Sequence, residues 1–164
     1  MLIILKNKDT LIVDDFKFKC SIGKNGIKTN KIEGDKCTPR GTFKLKTIYY
    51  RKDKVNKPLK NINLNSKIIL KNMGWCNDPN HKFYNKEVNI TKNIKHEKLY
   101  RKDSKYDYLI DINYNEKKIP FKGSAIFIHL TKNYKPTIGC IALLKKDFII
   151  LLKLIKKNTK IKII

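Results

Sequence analysis

At 164 residues and 41% hydrophobic content, the chain is long enough to bury a core without disulfides or metals and too apolar for a disordered basic tail. Its net charge is +24, from 38 basic against 14 acidic residues, a balance that favours polyanions. Only Arg40, Arg51 and Arg101 are arginines, however, and surfaces that read bases and phosphates lean on the arginine fork. The evenly scattered lysines, interleaved with Asn and Ile, read as biased amino-acid usage spread over solvated faces, so a nucleic-acid partner is not expected.

In chain order, residues 2–5 and 10–13 are β-rich runs separated by a polar turn, and Phe16, Phe18 and Cys20 continue the alternation. This predicts an N-terminal hairpin or meander. Residues 23–41 are punctuated by Gly23, Gly26, Gly34, Pro39 and Gly41, the pattern of a binding loop between strands. Strand character returns over 42–50. Residues 51–65 read as loop, 67–71 as a short strand, 72–92 as irregular and 95–103 as one or two helical turns. Residues 106–114 and 125–130 are strands, the latter reaching a histidine near its end. A loop over 131–137 leads to an apolar strand or turn at 139–143. Over 145–156, Phe148, Ile149, Leu151, Leu152 and Ile155 predict an amphipathic helix, with Asp147 suiting its N-terminal dipole. Residues 160–164 form a final strand. The reading is one mostly-β (α+β) domain, residues 1–164, with one firm helix.

Cys20, Cys37, Cys76 and Cys140 form no C-x-x-C pair and have no zinc-finger spacing to His81, His96 or His129, so no metal site is predicted. Four apolar residues before Lys6 are too few for a secretory signal. The longest apolar run, 148–152, is far below a membrane span.

Cysteine acyl transfer needs a thiol, a base and donors for the oxyanion. Cys140 follows Gly139, and His129 lies eleven residues upstream on a strand, so a short return loop can bring thiol and imidazole together. The same residues also fit a small core cysteine and a hydrogen-bonded surface histidine. Spacing alone leaves both readings open.

The segment Gly123-Ser-Ala-Ile-Phe-Ile-His129 followed by Pro136-Thr-Ile-Gly-Cys140-Ile-Ala-Leu143 resembles the catalytic signature of the L,D-transpeptidase (YkuD-like) family. Gly23-Lys-Asn-Gly26, Thr38-Pro-Arg-Gly-Thr-Phe43, Trp75-Cys-Asn-Asp-Pro79 and Arg101-x-Asp103-x-x-Tyr106 resemble further parts of that family, so the match runs from about Gly23 to the last strand. Two positions depart from it. Ile138 stands where a histidine normally precedes Gly-Cys, and Leu130 follows the strand histidine.

The resemblance implies a β-sandwich or barrel-type domain with Cys140 as nucleophile and His129 as base. Thr137 takes the Ser/Thr place of the signature, and Gly139 keeps the backbone open beside the thiol. The amides of Gly139 and Cys140 would serve the oxyanion, and Arg40 and Arg101 would hold a substrate carboxylate. It also implies a monomer without cofactor, acting on peptidoglycan stem peptides in the cell envelope or periplasm and forming 3→3 cross-links through a thioester. A carboxypeptidase or peptide hydrolase on the same fold, or a non-catalytic wall- or polyanion-binding module, fits the same sequence.

Overall fold

The computed structural model describes residues 1–58 and 64–164. The elements are β1 (Leu2–Lys6), β2 (Thr10–Val13), β3 (Phe16–Ser21), β4 (Ile27–Lys28), β5 (Thr38–Pro39), β6 (Gly41–Lys44), β7 (Thr47–Tyr50) and β8 (Asn65–Ile68). They continue with β9 (Met73–Cys76), β10 (Glu87–Asn89), β11 (His96–Lys98), β12 (Tyr108–Asp111), β13 (Phe127–Thr131), β14 (Ile141–Leu144), α1 (Lys145–Leu154) and β15 (Lys160–Ile163). The chain is mostly β, with α1 as the one α-helix among the described residues.

The first three strands form the antiparallel meander that their alternation predicts, burying Ile3, Leu5, Leu11, Val13, Phe18 and Cys20. They belong to a ten-stranded sheet in the order β6-β15-β1-β2-β3-β14-β13-β12-β7-β8. Strands β6 and β7 are consecutive in the chain yet lie at and next to opposite ends of that order. The Leu45 amide donates to Thr159 O and the Lys46 amide to Asp111 O, so residues 41–50 draw the two ends together. The sheet is therefore strongly curled, a barrel-type arrangement as expected.

Helix α1 fills the inside of the curl. Phe148, Leu151 and Leu152 are buried there, and Phe148 stacks on Tyr108 with ring centroids 5.7 Å apart. Each such side chain stabilises the fold by about 2 kcal/mol. Ile149, assigned to the buried face by helical spacing, is exposed, and Ile155 is buried just beyond the helix end.

Along β13 the side chains alternate between two cores. Ile128 and Leu130 join the helix-filled interior. Phe127 joins a second cluster on the opposite face with Tyr49, Trp75, Tyr106, Leu109 and Cys140. A small sheet in the order β10-β9-β11 contributes to that cluster through Met73 and Trp75. This sheet corrects two expectations, because 72–92 is not wholly irregular and 95–103 holds a strand where helical turns were predicted. All four residues of β9 are buried, so no alternation marks them, and β10 and β11 have three residues each. Strand β8 begins at Asn65, inside the predicted loop over 51–65, and residues 59–63 of that loop lie outside the described residues.

Candidate active site

Strands β13 and β14 run parallel, with Ile128 opposite Ile141 and His129 opposite Ala142. Continued by one residue, the register sets Cys140 opposite Phe127, and the Phe127 amide donates to Cys140 Sγ at 3.3 Å. Cys140 and His129 therefore stand two residues apart in register on one face of the β13–β14 pair. Both are buried, and both line one cavity of about 920 Å³.

The Cys140 thiol donates to Ala125 O at 3.2 Å. Burial, reinforced by the Glu97 carboxylate, pushes its pKa up to about 12, so the resting sulfur is protonated. His129 Nδ1 lies 2.9 Å from Leu130 O. A carbonyl only accepts, so this contact puts the proton on Nδ1 and leaves Nε2 with its lone pair. Burial lowers the His129 pKa to about 4, with Lys105 and Arg101 acting in the same direction. The resting pair is a neutral thiol and a neutral imidazole.

The turn before Cys140 is closely specified. Thr137 Oγ1 donates to Cys140 O at 2.6 Å and accepts the Gly139 amide at 3.1 Å. Gly139 has φ 137°, and a Cβ there would meet Cys37 O at 2.9 Å. Thr38, fully buried, donates from Oγ1 to Gly139 O at 2.8 Å and accepts the Gly23 amide at 2.9 Å. The glycine-rich segment and the Thr-Pro turn thus clamp the strand entry carrying Cys140. The Gly139 amide, expected as an oxyanion donor, is occupied by Thr137. The Cys140 amide has no acceptor among the described residues.

With this arrangement in view, the comparison with known families is decisive. The family model of the L,D-transpeptidase catalytic domain, YkuD, matches residues 2–163. The chain belongs to this family. No curated protein and no solved structure gave a match. Membership ties this YkuD domain to L,D-transpeptidase-type chemistry, to peptidoglycan and to the cell wall. No helix among the described residues is long and apolar enough to cross a membrane.

The two arginines expected to bind substrate separate. Arg101 lines the Cys140 cavity, its Nε and Nη2 donating to Asp103 at 2.9 and 2.7 Å. Arg40 instead borders another cleft, with Lys6, Lys8, Asn25 and Ile27. Arg51 is buried, stacked on Tyr100, and donates to Arg101 O at 2.6 Å, steadying the segment that carries Arg101. Ile138, in place of the usual histidine, lies on the cavity rim at 76% exposure, so it puts no apolar wall against the thiol.

Sequence reasoning missed Glu97 and Lys31. Glu97 accepts a very short hydrogen bond from Tyr106 Oη, and the Tyr106 ring meets His129 edge-on at 5.3 Å. Burial raises the Glu97 pKa. Lys31 is buried against Gly123 and paired with Asp35 at 2.5 Å, and its charge lowers the Cys140 pKa slightly against the larger effect of burial. Nothing marks Lys31 among 38 basic residues, and Glu97 lies in the stretch read as helical.

Proposed function

We propose that this YkuD domain is a cysteine L,D-transpeptidase that acts on peptidoglycan stem peptides. The observation that carries the reading is the placing of the Cys140 thiol and His129 imidazole on one strand face and in one cavity, with Nδ1 of the histidine tied to Leu130 O.

In the first step Cys140 Sγ bonds to the amide carbonyl carbon at the L-centre of the third stem residue, and His129 Nε2 takes the thiol proton. The neutral resting pair favours this coupled transfer over a preformed ion pair. The C=O electron pair moves to oxygen, where the Cys140 amide donates to it. Collapse breaks the C–N bond, His129 returns the proton to the departing D-alanine amine, and a thioester remains. The amine of a second stem attacks the thioester and passes a proton through His129 to sulfur as the C–S bond breaks. The product is a 3→3 cross-link. Water in place of the amine gives an L,D-carboxypeptidase.

Thr137 and Gly139 are positioning residues, fixing the turn that presents the thiol. Arg101 offers a cation to a substrate carboxylate from beside Asp103. Eight basic against three acidic residues line the cavity, which suits an anionic peptide.

Intact-mass spectrometry after incubation with a carbapenem, a class that acylates L,D-transpeptidase thiols, tests the nucleophile. The natural protein gains one adduct, and Cys140→Ser and His129→Gln gain none. A folded natural protein that stays unmodified overturns the reading. Incubation with a stem tetrapeptide then separates cross-linked dimer from tripeptide.

A further inference from the structure

Residues 113–122, between β12 and β13, form a loop held rigidly from within. Asn115 Nδ2 donates to Ile119 O at 2.9 Å and to Gly123 O at 3.0 Å, while its Oδ1 accepts the Ile119 amide at 3.0 Å. Tyr114 Oη donates to Lys122 O at 2.5 Å, and Asn85 Nδ2 holds Tyr114 O at 2.8 Å. Despite this order, the tip is turned outward. Ile119 is 48% and Phe121 54% exposed, and Pro120 between them is exposed too. Ile32, 53% exposed, lies alongside, because the Glu33 amide donates to Phe121 O at 2.8 Å. Phe121 has φ 62°, a left-handed conformation that bulky residues rarely adopt. An aromatic residue with a strained backbone and a ring outside the core contributes little to the fold, which points to a role beyond it.

The charges around the tip are mainly positive. Lys117, Lys118 and Lys122 flank it within the loop, against Glu116. Of the neighbouring acids, Glu33 is held by Tyr84 Oη at 2.5 Å and Asp35 by Lys31. We propose that this tip docks the protein on an anionic lipid bilayer. Ile119 and Phe121 enter the boundary between headgroups and acyl chains, and the lysines meet the headgroup charge. A soluble polyanion would engage the lysines but offer nothing to the apolar tip, so the pairing favours lipid. The site cavity lies alongside, since Lys31, Glu33 and Ser124 line it. A docked molecule therefore holds the cavity mouth close to the lipid surface, whatever reaction occurs there.

The test is co-sedimentation of the full chain with phosphatidylcholine vesicles, with and without phosphatidylglycerol. The natural protein binds the anionic vesicles and leaves the neutral ones. Ile119→Ser with Phe121→Ser weakens that binding about tenfold or more and leaves heparin retention unchanged. Replacing Lys117, Lys118 and Lys122 by Gln weakens both. Phe121→Asn, which suits the positive φ, weakens vesicle binding while its Tm rises, an outcome that a folding defect cannot produce. Binding by the Ser double variant equal to that of the natural protein would overturn the proposal in favour of charge alone. Failure of the natural protein to bind anionic vesicles would overturn it in favour of a protein partner for the tip.

Discussion

His129 is buried neutral, and that has a consequence for stability. Its pKa in the fold, about 4, lies below the ordinary 6.5, so between these values the unfolded chain binds a proton that the folded protein refuses. Stability from this residue is present above pH 6.5 and is lost as pH falls towards 4. Chemical denaturation of the natural protein and His129→Gln at pH 7 and pH 4 isolates it, because the other titrating groups largely cancel in the difference. The natural protein should lose on the order of 3 kcal/mol relative to the variant across that interval. A difference that does not change with pH would show that the imidazole is accessible to protons. Gly139 makes a second prediction at this scale. Gly139→Ala adds a Cβ 2.9 Å from Cys37 O at φ 137°, so it should destabilise by about 2 kcal/mol or more and abolish carbapenem acylation. A variant that is acylated normally and melts at the natural temperature would show that the turn can relax.

Between elements, the contact to probe is the one Thr38 makes across 101 residues of sequence to Gly139 O. Thr38→Val keeps the shape but leaves that carbonyl and the Gly23 amide unpaired in a buried setting. The cost should be about 2–4 kcal/mol, seen as a lower denaturant midpoint at unchanged slope. A loss below about 0.5 kcal/mol would mean that other groups can satisfy both atoms. How far the elements could be read from sequence follows from their solvent contact. β1 to β3 and α1 each have an exposed face, so their periodicity is visible, and the run ending near His129 is apolar enough to stand out. β9 is covered on both faces and β11 is too short to show a period, so Glu97 went unseen with its strand. Arg40 and Arg101 look alike in sequence. What separates them is that Arg40 lies between β5 and β6, opening on the cleft of Lys6 and Lys8, a matter of topology that local spacing does not encode.

At the scale of the whole molecule the net charge of +24 is the dominant feature. Thirty-eight cations on a compact body repel one another more strongly than in the expanded chain, so added salt should stabilise the fold. The Tm in about 0.5 M sodium chloride should exceed that in about 0.02 M by several degrees. A Tm that falls with salt would mean that the surface ion pairs, such as Lys67–Glu87, outweigh the repulsion.

The pairing of β1 with β15 bears on how the molecule comes into being. Leu2 to Leu5 lie beside Lys160 to Ile163, so β1 and β15, far apart along the chain, are neighbours inside one sheet. Until the last of these residues has left the ribosome, β1 and β6 have no strand between them and the curl stays open. Non-local pairing of this kind makes closure of the sheet late and slow, because it waits for β15. The curl thus has a latch as well as a wall: the sheet closes when β15 slots between β1 and β6, wherever and whenever that strand becomes free to pair.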